Sequence, residues 1–182
     1  YLDVEYYVDS AQSPSMISTV LDIVRQELCR TYPQIEARAS VMDDVIVLTS
    51  CRRTGEVTAD RFKHSYHVIF PQVYFWGNTG RMKQFILSLQ NLPELQAQNK
   101  KGEQGCVLDK RVYGKFQCFR LLGSSKLDDG LRQTPFQFLD AGSLVSNDEM
   151  VRSVISHEEE DGVRIEEADS DSDTRSNSNS MP

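Results

Sequence analysis

Paired cysteines are missing from this chain. Its four cysteines, Cys29, Cys51, Cys106 and Cys118, lie far apart and show no C-x-x-C spacing. Neither a zinc knuckle nor a disulfide framework is suggested, no structural zinc is expected, and a reducing, intracellular setting fits. Long apolar runs are missing too. No stretch of about 18 apolar residues occurs, so no membrane span is expected. No internal repeat is present. Net charge is scarce over most of the length: residues 151–182 hold nine acidic side chains against three arginines, six of the seven formal negative charges, which leaves −1 on residues 1–150. The acidic total therefore says little about the folded part's ligands, and a local basic face for nucleic acid is not excluded. An initial methionine is also absent. The chain opens on YLDVEYYVDS, already strand-like, and reads as an N-terminally truncated fragment in which targeting is not legible.

At 182 residues the chain fits one domain with a single core. Tyr1 to Val8 reads as a strand. Ser13 and Pro14 suit a helix start, and Ile17, Val20, Leu21, Val24 and Leu28 follow at helical spacing, predicting a helix over 14–31 ended by Tyr32 and Pro33. Residues 44–52 and 63–70 read as strands with a turn at RTGEV between them. A loop over Gly77–Gly80 leads to a second amphipathic helix carrying Met82, Phe85, Ile86 and Leu89. Pro93 to Gly105 reads as a polar loop with room for some helix, and 106–126 as two strands about Gly114. A short helix near QFLDAGSLVSNDEMVRSVI closes the core. The order β, α, β, β, α, β, β predicts an α+β fold, a mostly antiparallel sheet with helices packed on one face. Residues 1–150 form the domain. Residues 151–182 are acidic, serine-rich and poor in large apolar groups, and read as a disordered tail.

Three signals carry chemistry. In LDVEY, Asp3 and Glu5 alternate with Leu2 and Val4, so two carboxylates share one strand face. In KHSYHVIF, Lys63, Ser65, His67 and Ile69 share one face, and His64, Tyr66, Val68 and Phe70 the other. The third is Asp109 in VLD, followed by Arg120 and Lys126 in FRLLGSSK. Each alone has a plainer reading: a solvated strand face, or a hydrogen-bonded structural histidine. Together they suit a polyphosphate. Carboxylates from neighbouring strands hold divalent cations, which bridge to phosphates, while lysine, arginine, serine and histidine donors take the phosphate oxygens. That set points to phosphoryl or nucleotidyl transfer.

The ordered motifs resemble the archaeo-eukaryotic primase (AEP) superfamily, most closely the PrimPol group of primase-polymerases. That family carries D-x-E or D-x-D, then S-x-H, then an acidic residue, each on its own strand of an RRM-like core. Here Asp3 and Glu5, Ser65 and His67, and Asp109 match, and RFKHSYHVIF, DKRVYGKFQCFRLLGSSK and FLDAGSLVSN extend the likeness. The resemblance implies a DNA-directed primase-polymerase acting in DNA replication, repriming, translesion synthesis and repair. Asp3, Glu5 and Asp109 would be the catalytic ligands of Mg²⁺ or Mn²⁺. Lys63, Ser65, His67, Arg120 and Lys126 would contact the triphosphate of an NTP or dNTP, with template DNA and primer as further partners. Where the family usually has arginine this chain has Gln117, so that phosphate contact would be either weakened or supplied by Lys115. No downstream zinc module and no helices ahead of the first motif are visible, so primer extension with poor unprimed initiation is expected. The resemblance places such a protein in the nucleus or mitochondrion if the source is eukaryotic. The acidic tail suits the basic groove of a single-strand-binding partner such as replication protein A, its plainer reading being a solubilising linker. Alternatives are a non-catalytic nucleic-acid-binding relative, an end-joining polymerase, and the catalytic part of a viral primase-helicase.

Overall fold

The computed structural model describes residues 1–11, 13, 15–54, 61–75, 79–114, 120, 122–124, 127–128, 131–132, 137–139 and 162–165. In chain order the elements are β1 (Leu2–Val8), α1 (Ile17–Thr31), a one-turn α2 (Pro33–Glu36), β2 (Ile46–Thr49), β3 (Arg52–Arg53), β4 (Phe62–Ile69), β5 (Val73–Phe75), α3 (Thr79–Leu89), β6 (Gln96–Gln98), β7 (Gln104–Cys106), β8 (Leu127–Asp128), β9 (Leu131–Arg132), β10 (Gln137–Phe138) and β11 (Val163–Ile165). The main sheet runs β10-β2-β4-β1-β6-β7, with β3 also paired to β4, and every pairing in it is antiparallel. The protein is α+β, as the element order predicts. Among the described residues no helix is long and apolar enough to cross a membrane.

Alternation on β1 builds the core. Leu2, Val4 and Tyr6 are buried in one cluster with Val20, Val24 and Leu28 of α1 and with Phe85, Ile86 and Leu89 of α3. The helical spacing read from the sequence is thus the stripe that packs on the sheet. The opposite face of β2 and β4 carries a small second cluster, Ile46, Leu48 and Ile69, against which Leu122 packs. His64 belongs to the core side: its ring stacks on Tyr6 at 4.6 Å, and Nδ1 lies 2.9 Å from the Tyr66 hydroxyl.

Helix α1 starts at Ile17, three residues after the predicted proline start. Its first turn is fixed from outside the helix. The Met16 amide donates to the Tyr6 hydroxyl at 2.8 Å, and the Ile17 amide donates to Ser15 Oγ at 3.2 Å. The end falls as predicted, at Thr31 before Pro33.

In the segment read as loop with some helix, Pro93–Leu95 form a 3-10 turn, and both that segment and the predicted tail also hold strands. Residues 96–106 form the β6–β7 hairpin. Its turn is closed by Asn99 Oδ1, which accepts from the Lys101 and Glu103 amides, and by Gly102 at φ +81°. Left-handed backbone at that position favours glycine. Within the predicted disordered tail, β11 pairs in parallel with β5 and buries Val163 and Ile165. The V-x-I alternation is enough for a strand once β5 offers an edge. Residues 166–182, residues 55–60 with the last three positions of the RTGEV turn, Gly77 and Asn78, and residues 140–161 lie outside the described residues, while Arg53 falls in β3 and Gln137–Phe138 pair with β2 as a strand.

Residues 106–113, expected as a strand, are one only at the start. After β7 ends at Cys106, Leu108 makes an isolated bridge to Val4, and Lys110–Tyr113 form a 3-10 turn. The Asp109 side chain ends the extended run by accepting from the Arg111 amide at 2.8 Å, a cap that starts the turn.

Candidate nucleotide and metal site

The β1–β4 register brings the first two motifs together. Asp3 lies opposite His67, Glu5 opposite Ser65, and Tyr7 opposite Lys63. Directly opposed residues share a sheet face, so all six side chains form one polar ladder on the side away from α1 and α3. The third carboxylate is tied to the same strand by backbone. The Asp109 amide donates to the Asp3 carbonyl at 2.9 Å, and the Glu5 amide donates to the Val107 carbonyl at 2.8 Å.

Each carboxylate has its own neutralising partner. Lys63 Nζ forms an ion pair with Glu5 Oε2, and the Tyr7 hydroxyl donates to Glu5 Oε1 at 3.1 Å. Arg111 grips Asp109 by a fork, Nη2 to Oδ2 at 2.7 Å and Nε to the two oxygens at 3.0 and 3.1 Å. Burial pushes the Asp109 carboxyl up, but the bonds and charge of Arg111 outweigh it and hold the group below the usual carboxylate range. Among the described residues no ion pair of this kind to a lysine or arginine is seen at Asp3. Burial first, then the charges of Glu5 and Asp109, raise its carboxyl to about 7, so near neutrality a proton serves as its counter-charge.

His67 is 2% exposed and neutral, because burial lowers its pKa to about 3. Its Nδ1 lies 2.9 Å from the Arg120 carbonyl, which fixes the proton there; Nε2, 3.9 Å from Asp3 Oδ1, is then an acceptor. In this tautomer the ring positions Arg120 and has no N–H left for a phosphate. Ser65 Oγ is buried and has no hydrogen-bond partner among the described residues.

Burial lowers the pKa of Lys63 and of Arg120, and the charge of Arg52, whose residue pairs with Lys63 across β3 and β4, lowers both further. Beside the carboxylates a cleft of about 410 Å³ opens between β1 and the β6–β7 hairpin, with Glu5, Tyr7, Asp109, Arg111 and Lys101 on its walls.

Of the predicted residues, Asp3, Glu5, Lys63, Ser65, His67, Asp109 and Arg120 converge here, and Lys126, Lys115 and Gln117 lie outside the described residues. Tyr7, Arg52 and Arg111 went unread. Tyr7 shares the two-residue parity of Asp3 and Glu5, and Arg111 stands two residues after Asp109. Arg52 was hidden by the unknown register of β3.

The donor chemistry fits a divalent cation, since the three carboxylates repel one another through Asp3 and all offer oxygen ligands. Their present rotamers do not form a ligand shell: among the described residues no group of three or more His, Cys, Asp or Glu side chains is arranged to hold a metal ion. Comparison with protein-family models finds no match, and comparison with the curated proteins finds none either.

Proposed function

We propose that the chain is the catalytic core of a primase-polymerase of the AEP superfamily, which adds NTPs or dNTPs to a primer 3′-hydroxyl on a DNA template. One observation carries the reading. The register sets the D-x-E pair opposite the S-x-H pair, side chain for side chain, with Asp109 bonded to the Asp3 backbone. An RRM-like primase core would need that juxtaposition, and an antiparallel sheet with helices on one face is compatible with it.

In this reading Asp3, Glu5 and Asp109 supply oxygen ligands to Mg²⁺ or Mn²⁺. When bound, such cations lower the pKa of the attacking hydroxyl and neutralise the leaving pyrophosphate. Ser65 offers its unpartnered hydroxyl to a phosphate oxygen. Lys63, Arg120 and Arg52 balance triphosphate charge, lysine as a point charge and arginine through its fork. His67 holds the Arg120 backbone and leaves proton transfer to other groups.

Primer extension on a primed DNA template with Mg²⁺ or Mn²⁺ tests this, with the Asp3→Ala, Glu5→Ala double variant as control. Metal-dependent extension lost in that variant is the expected result. Extension retained by the variant, or absent from the wild type under both metals, overturns it. The Arg111–Asp109 pair favours one second reading, a nucleic-acid-binding relative without chemistry. DNA binding with no metal binding selects that alternative.

A further inference from the structure

Arg111 is 85% exposed, yet it spends three guanidinium contacts of 2.7 to 3.1 Å on one carboxylate, and its own amide donates to the same group. Exposed arginines rarely hold so defined a geometry. A bidentate fork on a single carboxylate is the arrangement arginine's rigid donors fit best. The position matters more than the strength. Asp109 is anchored to the Asp3 carbonyl and lines the cleft with Glu5, and the guanidinium engages both of its oxygens.

We propose that Arg111 is a stand-in cation: it holds Asp109 in the metal-free protein and is displaced when a divalent cation takes that carboxylate. This inference rests on the metal-dependent reading above and adds to it a residue outside the three motifs. The pair keeps Asp109 ionised and in place without a metal. Metal uptake then becomes an exchange of partners, which weakens affinity by the strength of the pair. Arg111 acts through Asp109 and is a positioning residue.

The test is Mn²⁺ binding to the full chain without nucleotide, read from the free-ion electron paramagnetic resonance signal. Folding of each variant is checked by circular dichroism. The pair is exposed, so its displacement is expected to cost about fivefold in affinity. Arg111→Gln should therefore bind Mn²⁺ about fivefold more tightly than wild type at low salt, with the gain shrinking at about 1 M salt. Arg111→Lys, which keeps the charge, should stay near wild type. Lys110→Gln removes the neighbouring exposed charge that makes no fork and should shift affinity less than about twofold. Equal or weaker binding by Arg111→Gln overturns the proposal, as does an equal gain from Lys110→Gln. Asp109→Asn separates the two failures. If it weakens Mn²⁺ binding while Arg111→Gln changes nothing, only the stand-in role falls. If wild type and Asp109→Asn bind Mn²⁺ alike or not at all, the metal reading falls and takes this role with it.

Discussion

Replacing Asp3 by asparagine probes the charge balance at the centre of the sheet. In the folded protein burial and the neighbouring carboxylates raise Asp3 to about 7. In the unfolded chain it titrates near 3.9, so between about pH 4 and 7 the native state holds a proton that the unfolded chain has released. The Asp3 contribution to stability therefore falls as pH rises, by about 1.4 kcal/mol per pH unit and roughly 4 kcal/mol over the window. That total is an upper figure, because the side chain keeps 18% exposure. His67 acts in the opposite sense. Its folded pKa is about 3, and the unfolded imidazole takes a proton below about 6.5, so its contribution rises with pH across that range. In the wild type the two slopes cancel, since the pair carries one proton in either state. Asp3→Asn removes one side of the cancellation. Urea unfolding in the presence of a chelator, followed by circular dichroism from about pH 5 to 7, should show the variant gaining on wild type by about 1.4 kcal/mol per unit. A difference that stays constant with pH would refute a raised Asp3.

Ser65→Ala removes a buried hydroxyl that has no partner among the described residues, so the ligand-free protein should gain about 1 kcal/mol in a thermal melt while triphosphate binding weakens in calorimetry. A loss of stability in that variant would mean the hydroxyl is already bonded. Gly162→Ala should undock β11, because its Cβ would meet Tyr74 Cε2 at 2.0 Å, a clash on the scale of roughly 1–3 kcal/mol. Hydrogen exchange at the Val163 amide, bonded to the Gln72 carbonyl at 2.6 Å, reads it directly, and unchanged protection would show the strand held by other means.

Side-chain periodicity alone determined the faces. Alternation assigned Leu2 and Val4 to the core and Asp3 and Glu5 to the other side, and the three- and four-residue spacing of Val20, Val24 and Leu28 marked the helix stripe, because both periods are properties of the local backbone. The same parity separated His64, stacked in the core, from His67 on the polar ladder. Short elements escaped. Strands of two or three residues, such as β3, β6 and β11, bury too little of their own to leave a pattern and exist because a neighbouring edge pairs with them. The start of α1 was misplaced for a related reason, since the Tyr6 hydroxyl that anchors it belongs to β1. What only the tertiary structure decided is register: a slip of one residue between β1 and β4 would send every facing side chain to the other side. It set Glu5 opposite Ser65 and within reach of Lys63, and it left Asp3 neutralised by a proton. The Arg111 fork on Asp109 closes only because the chain turns at that residue instead of continuing as a strand.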